Sequence, residues 1–305
     1  MSKKVLVLKG GFSNEREVSL VSGKCIAEAL RRKGYEVAEH DLTDAWNLVE
    51  VLKTEKPDVV FNALHGNWGE DGEIQGLLDM LQIPYTHSGM RAALLGMDKD
   101  ITKYMAQSCG MKVAVSEKLK VKDFWRNGTL ISMPYVLKPV SDGSSCGVYI
   151  IFDKKDLEQV HYDDENEEIL VEKYIPGKEL TVSCIDGKAY VVTEIRPTVE
   201  FYNYQAKYTD GITKHILPAE IPDDIAEKCK RWAEKLHRKL GCRAVSRIDI
   251  RYNEEDGPVF LEINTHPGMT PLSLVPEQAK YAGISYEDLC EMLVNSAAFR
   301  QRKTV

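Results

Sequence analysis

"DIRYNEEDGPVFLEINTHPG" occupies residues 249–268. Its apolar run VFLEIN (259–264) carries two polar side chains, Glu262 and Asn264. A strand points alternate side chains to opposite faces, so Glu262 and Asn264 share one face and Leu261 and Ile263 the other. SRIDI (246–250) repeats the pattern, with Arg247 and Asp249 on one face and Ile248 and Ile250 opposite. The cluster NEEDGP (253–258) reads as the turn of a hairpin. With Tyr252 opposite Val259, Asp249 faces Glu262 and Arg247 faces Asn264. A slip of one residue would move a whole strand's polar set to the wrong face. Two carboxylates and an amide oxygen are hard ligands; they suit Mg²⁺, which keeps waters and takes phosphate oxygens beside a few protein oxygens. The alternative is a solvated face with an Arg–carboxylate pair. Against it, Asn264 runs into the Gly/Pro turn THPGMT.

Upstream, the chain alternates strands and helices. KVLVL (4–8) reads as a buried strand, REVSLVSGKCIAEALRRKG (16–34) as a helix stopped at Gly34, and YEVAEHDL and PDVVFNAL as two further strands. That order implies a parallel α/β sheet with ligand loops at its strand ends. The later chain looks more antiparallel. PYVLKPVSDGSSCGVYII is a strand, a Gly/Ser loop and a strand, and EEILVEKYIPG is a strand running into a turn. ELTVSCI and KAYVVTEI flank Asp186-Gly187, a two-residue hairpin signal. DDIAEKCKRWAEKLHRKLG is an amphipathic helix with Ile225, Cys229, Trp232, Leu236 and Leu240 along one stripe. The predicted class is α/β, turning α+β in the later parts.

The 305 residues are 43% hydrophobic and 29% charged, enough for two or three domains. A net charge of −7 argues against general binding to nucleic acid or to an anionic membrane. No apolar run is long enough to span a membrane. Seven cysteines without a CxxC pair fit reduced thiols in a cytoplasm better than a disulfide scaffold or a zinc site.

Four other stretches could carry chemistry. In YVLKPVSDGSSCG, Lys138 precedes a Gly/Ser loop whose main-chain N–H groups could wrap an anion; a surface hairpin would read the same way. VEKYIPGKELTV places Glu172, Lys173 and Glu179 around a Pro-Gly turn, where ordinary strand-end charge is the alternative. Glu15 lies just before a helix and could act as an N-terminal cap. His65 ends a strand, where α/β ligands gather, though a lone histidine is more often structural.

Taken together, GGFSNEREVSL, HGNWGEDG, MDK, LKPVSDGSSCGV, EKYIPGKELTV, YNYQAKY, SRIDI and LEINTHPGMTPLSLVP resemble, in order, the D-alanine–D-alanine ligases of the ATP-grasp superfamily. The resemblance covers almost the whole chain. It implies three domains: an N-terminal α/β domain (1–96), a central ATP-grasp domain (97–177) and a C-terminal ATP-grasp domain (178–305). It implies ATP-dependent joining of two D-alanine molecules through a D-alanyl phosphate, for peptidoglycan precursors, by a cytoplasmic homodimer. Lys99 and Lys138 would contact ATP phosphates, with the Ser144 loop closing over them. Glu172, Lys173, Ile175 and Glu179 would line the adenosine pocket. Asp249, Glu262 and Asn264 would bind two Mg²⁺ or Mn²⁺ ions. Glu15 would orient the first D-alanine, with His65 beside the substrate. Arg247 and the Gly268 N–H would stabilise the oxyanion, and Ser273 and Leu274 would hold the second carboxylate. Lys207 and Tyr208 would belong to a closing loop. Trp68 and Gln205 stand where the family commonly has other residues. Rival readings are a D-alanine–D-lactate ligase of the same fold and a non-catalytic ATP-grasp nucleotide-binding protein. A nicotinamide-dependent Rossmann enzyme is disfavoured because GxGxxG is absent.

Overall fold

The computed structural model describes residues 2–143, 146–197 and 213–300. Three sheets organise them. In the first, β1 (Lys4–Gly10) lies parallel between β2 (Glu36–Leu42) and β3 (Val59–Asn62). Residues 5–8 are buried outright, as a central parallel strand covered on both faces requires. Helix α1 (Arg16–Arg32) carries the chain from β1 to β2 and buries Ile26, Ala27 and Leu30; Gly34 follows it with φ +85°. Helix α2 (Ala45–Glu55) leads into β3, and the Asp44 side chain accepts a hydrogen bond from the Trp46 N–H at 2.9 Å to cap it. Helices α3 (Glu73–Leu81), α4 (Met90–Met97) and α5 (Lys99–Ser108) follow.

The second sheet is antiparallel, in the order β4 (Ser116–Lys120), β7 (Glu168–Lys173), β5 (Tyr135–Pro139), β6 (Tyr149–Ile151). Helix α6 (Val121–Asn127) packs Val121 and Phe124 against it. The third runs β11 (Thr213–Ile216), β10 (Thr193–Pro197), β8 (Lys178–Ile185), β12 (Val245–Asn253), β13 (Gly257–Asn264), with the short β9 (Lys188–Ala189) also on β8. Helix α7 (Asp223–Leu240) buries Cys229, Trp232, Leu236 and Leu240 against this sheet, the stripe expected from its spacing. Helices α8 (Leu274–Tyr281) and α9 (Tyr286–Asn295) return to the first sheet, where Leu289 and Leu293 join Val5, Val7 and Phe61 in one core. The parallel-then-antiparallel class read from the sequence is the one observed.

Two strands depart from that reading. KAYVVTEI is not continuous. Its pairing with β8 shifts by one residue between Cys184↔Ala189 and Thr181↔Thr193, because Val191 and Val192 are both buried. A regular strand would have turned one of them outward. The hairpin β12–β13 pairs Asp249 with Glu262 and Arg247 with Asn264 as expected. Its turn end is tighter, with Tyr252 opposite Pro258 instead of Val259. A β-bulge at Asp249/Ile250 absorbs the difference. Leu261 is the extra residue. It therefore lines the cleft described below and does not share the core face of Ile263.

Residues 174–177 join β7 to β8. Arg251 on β12 donates to the carbonyls of Ile175 (3.1 Å) and Gly177 (2.8 Å), and the Asn253 amide donates to that of Pro176 (3.0 Å). Gly177 has φ +107°, and a Cβ there would fall 2.2 Å from the Tyr252 carbonyl oxygen. Gly177→Ala is therefore expected to destabilise by about 1–3 kcal/mol or more. A thermal midpoint equal to wild type in differential scanning calorimetry would show that this close approach does not constrain the turn.

Candidate active site

A cleft of about 790 Å³ lies where the three sheets meet. Every predicted site residue within the described part of the chain lines it. These are Glu15 and His65 from the first sheet, Lys99 from α5, and Lys138, Glu172, Lys173, Ile175 and Glu179 around β5, β7 and the joining turn. Arg247, Asp249, Glu262, Asn264, Gly268, Ser273 and Leu274 complete it from β12 onward. Ser144, Lys207 and Tyr208, with Gln205, lie outside the described residues.

The strand pair at one wall is held by charge. Arg247 Nε and Nη2 donate to Asp249 Oδ1 (2.9 Å) and Oδ2 (2.7 Å), a planar two-point pairing that fixes the guanidinium. The Thr181 hydroxyl donates to Asp249 Oδ1 at 2.7 Å from the neighbouring strand. The Arg–carboxylate pair of the alternative reading thus exists, but inside the cleft and not on a solvated face. Asn264 Oδ1 accepts the His266 main-chain N–H at 2.8 Å. Among the described residues no group of three His, Cys, Asp or Glu side chains is disposed to hold a metal ion. Asp249 and Glu262, directly paired across the strands, offer two carboxylates with one amide beside them. Such a partial oxygen set fits a hard cation that also takes water and phosphate oxygens, not a closed protein cage.

A second wall carries buried cations. Lys138 Nζ donates to Glu172 Oε1 at 3.1 Å, and Lys103 Nζ donates to Glu172 Oε2. Burial opposes ionisation of Glu172, but the two ammonium groups outweigh it and hold the carboxyl below the usual range. Burial, reinforced by the Lys138 charge, pulls Lys103 below the ordinary lysine range in spite of Glu172. Lys99 Nζ donates to the Asp142 carbonyl. Lys103 was missed in the sequence, although it stands four residues after Lys99 and so on the same helix face. Glu194, Arg196 and Lys178 were missed too. Lys178 Nζ and Arg196 Nη2 donate to the buried Glu194 carboxylate at 2.7 and 2.6 Å on the cleft wall. Glu194 and Arg196 have the same two-residue spacing as Arg247 and Asp249, a signal that was available.

Glu15 stands at the N-cap position of α1, but its side chain makes no capping hydrogen bond. Its carboxylate instead faces the loops after β3 and β5. A Cβ on Gly66 or Gly143 would lie 3.2 or 3.0 Å from Glu15 Oε2. His65 Nδ1 is 2.9 Å from Glu70 Oε1, and Nε2 is 3.3 Å from the Ser22 hydroxyl. Burial disfavours the imidazolium of His65, but the Glu70 carboxylate outweighs it and raises the pKa. Phe12 and Trp68 form an aromatic pair, ring centroids 5.0 Å apart, at a smaller pocket adjoining Glu15. Ser273 precedes the first turn of α8, and its Oγ accepts the Thr270 N–H at 3.0 Å. That leaves the α8 N-terminus facing the cleft, a place suited to an anion.

Two more buried histidines lie behind His65. His87 and His266 stack with ring centroids 3.9 Å apart and an interplanar angle of 32°, and His266 meets His65 edge-on at 6.0 Å. Burial, with the neighbouring His65 charge adding to it, carries His87 down to about 3. Burial likewise holds His266 well below the ordinary value.

Comparison with known proteins gives a consistent picture. The family model described as D-ala D-ala ligase N-terminus matches residues 48–88, and the one described as D-ala D-ala ligase C-terminus matches residues 105–295. The D-alanine–D-alanine ligase of Erythrobacter litoralis is 46% identical, over 96% of this chain and 93% of its own. That of Gluconobacter oxydans is 46% identical over 97% of this chain and 100% of its own. The crystal structure of the Bacillus anthracis D-alanine–D-alanine ligase complexed with ATP superimposes with a TM-score of 0.81. It shares 33% identity and covers 97% of both chains. The VanG D-Ala:D-Ser ligase of Enterococcus faecalis superimposes with a TM-score of 0.77 at 26% identity, covering 97% of this chain and 99% of its own.

The neutral buried histidines have a consequence for pH. A histidine whose folded pKa lies below its unfolded value of about 6.5 takes its proton at the cost of the folded state. Its contribution is complete above about pH 6.5 and is lost as pH falls towards the folded value, here about 3 for His87. The thermal midpoint should therefore drop between pH 7.5 and 5. His87→Asn should be less stable at pH 7.5 yet lose less on acidification. Parallel curves for the two proteins would refute the buried neutral state of His87.

Proposed function

The chain belongs to the D-alanine–D-alanine ligase family, and we propose that its cleft joins two D-alanine molecules through a D-alanyl phosphate with the residues named below. The ligation consumes ATP and yields D-alanyl-D-alanine, ADP and phosphate, supplying dipeptide for peptidoglycan precursors. The observation that carries the assignment of roles is the convergence in one cleft of Lys99 and Lys138, the Arg247–Asp249 pair opposite Asn264 and Glu262, and the N-terminus of α8.

Lys99 and Lys138 take the phosphate oxygens of ATP as point charges, Glu172 holding Lys138 in place. Glu172, Lys173, Ile175 and Glu179, all on the cleft wall with Leu261, are assigned to the adenosine end. Asp249, Glu262 and Asn264 would hold Mg²⁺ or Mn²⁺, two ions; when bound, the metal offsets charge on the transferring phosphoryl group. Glu15 binds the ammonium of the first D-alanine, with His65 behind it, so that the substrate carboxylate faces the γ-phosphorus. That carboxylate displaces ADP and becomes the acyl phosphate. The α8 N-terminus, at Ser273 and Leu274, takes the carboxylate of the second D-alanine. Its neutral amine attacks the acyl carbon. The Arg247 guanidinium and the Gly268 N–H stabilise the oxyanion, and phosphate leaves as the amide forms. The Ser144 loop and the Lys207–Tyr208 segment are assigned to closing the site against water.

The D-Ala:D-Ser specificity of VanG makes the nucleophile the point to test. Phosphate release with ATP should be rapid with D-alanine and near background with L-alanine, and it should climb towards alkaline pH as the second D-alanine loses its ammonium proton. Supplied together with D-lactate and D-serine, D-alanine should give D-alanyl-D-alanine as the main product by mass. Predominant ester at acidic pH would move the enzyme to the D-lactate class, and predominant D-alanyl-D-serine to the D-serine class. In the same assay Glu262→Gln should lower turnover by roughly 100-fold or more with an unchanged far-ultraviolet dichroism spectrum. Near-normal turnover would refute the metal assignment.

We assign the enzyme to the cytoplasm, where ATP is present; no described helix is long and apolar enough to cross a membrane. A homodimer joined through the N-terminal units is supported by Met80 on α3 and Leu94 on α4, exposed apolar side chains on neighbouring helices. Sedimentation equilibrium at micromolar concentration should give about twice the mass of one chain, and a strict monomer would reject the dimer.

A further inference from the structure

The turn after β13, residues 264–268, carries two groups of the proposed mechanism: the Asn264 amide oxygen and the Gly268 N–H. It belongs to the third sheet, yet residues of the first unit clamp it. A Cβ on Gly96 of α4 would fall 2.4 Å from Thr265 Cγ2, so α4 lies hard against Thr265. The His266 ring lies beside the Asn62 main-chain carbonyl at the end of β3. Its face lies on His87, centroids 3.9 Å apart. His87 is itself pinned. Its Nδ1 is 3.0 Å from the Thr86 hydroxyl, Phe61 meets its ring edge-on at 5.6 Å, and Arg243 Nε donates to its carbonyl at 2.7 Å. Neither imidazole is among the residues that line the cleft.

Two features separate this pair from ordinary core filling. His87 Nε2 and His266 Nδ1 are buried without a hydrogen-bond partner, which costs free energy that an apolar ring of similar shape would avoid. The three imidazoles also do not converge as metal ligands would. Two lie face to face with a 32° tilt, the third is edge-on, and among the described residues no group of three His, Cys, Asp or Glu side chains is disposed to hold a metal ion. What histidine offers here and phenylalanine does not is a polar ring edge beside the Asn62 carbonyl together with a flat face for His87.

We propose that His266 and His87 are positioning residues for the ligation. Through the packing of their rings and the approach of His266 to the Asn62 carbonyl, the first unit sets where Asn264 and the Gly268 N–H stand. The inference rests on the reaction proposed above, because it concerns groups assigned there. His266 acts two residues from Asn264 and two from Gly268, so a small displacement of its ring moves both.

The test compares H266L, H266Q, H87A and H87F with wild type. The readouts are kcat, KM for ATP, thermal midpoint, and Mn²⁺ affinity in the presence of ATP by electron paramagnetic resonance. H266L and H87A should lower kcat and weaken Mn²⁺ by about 10-fold or more each, the size typical of losing an outer support, with KM for ATP within about twofold. H266Q keeps a polar group beside the Asn62 carbonyl and H87F keeps an aromatic face for His266, so each should recover most of both losses. Equal kcat and Mn²⁺ affinity across the variants, or rescue variants falling as far as the disruptive ones, would overturn the proposal. If H266L does not fold, H87A against H87F decides on the same criterion, since both leave His266 itself in place. A wild-type chain that releases no phosphate with D-alanine would overturn the reaction instead, and the Mn²⁺ readout would still decide the positioning role.

Discussion

Strand β12 is the member on which the cleft depends. It pairs with β8 on one side and β13 on the other, so its register fixes three strands at once. Arg247 and Asp249 gain their meaning from that pairing: Asn264 and Glu262 stand opposite them, and Thr181 on β8 reaches the same carboxylate. The bulge at Asp249/Ile250 separates two requirements. On the side of Arg247 and Asn264 the polar residues keep their register. On the turn side the strand shifts, which brings Leu261 to the cleft and leaves Phe260 and Ile263 in the core.

The opposite wall is held by buried charge. Glu172 stands between Lys138 and Lys103, each side chain 8% exposed or less. A buried carboxylate with two ammonium groups is a weak source of stability, since desolvation offsets the attraction. It is a strong source of position, because removing any member leaves an uncompensated charge. That suits a lysine whose proposed task is to meet phosphate at a set distance. Glu194, between Lys178 and Arg196, repeats the arrangement on the third sheet.

The three sheets do not act as independent bodies. Helices α8 and α9 follow β12 and β13 in sequence but share a core with β1, β3 and α1. Arg243, just before β12, reaches the carbonyls of Tyr85 and His87 in the first unit. The end of β13 is in turn stacked on His87. The cleft is thus built on contacts between units distant in sequence, and Glu15 and Gly268 are brought to it by that packing.

Sequence alone determined the local matters. Alternation placed Arg247, Asp249, Glu262 and Asn264 on one face, and helical spacing identified the stripe of α7. Strand–helix alternation announced the parallel first sheet. The ordered motifs named the family. These are legible because backbone periodicity and turn chemistry act over a few residues. Tertiary structure decided what depends on partners far apart in the chain. The Lys103–Glu172 contact spans α5 and β7, His87 meets His266 across two units, and Val191 with Val192 forces a shift that only the core explains. A buried charge or an imidazole without a hydrogen bond has no periodic signature. Its place is set by which surfaces meet once each face has been removed from water.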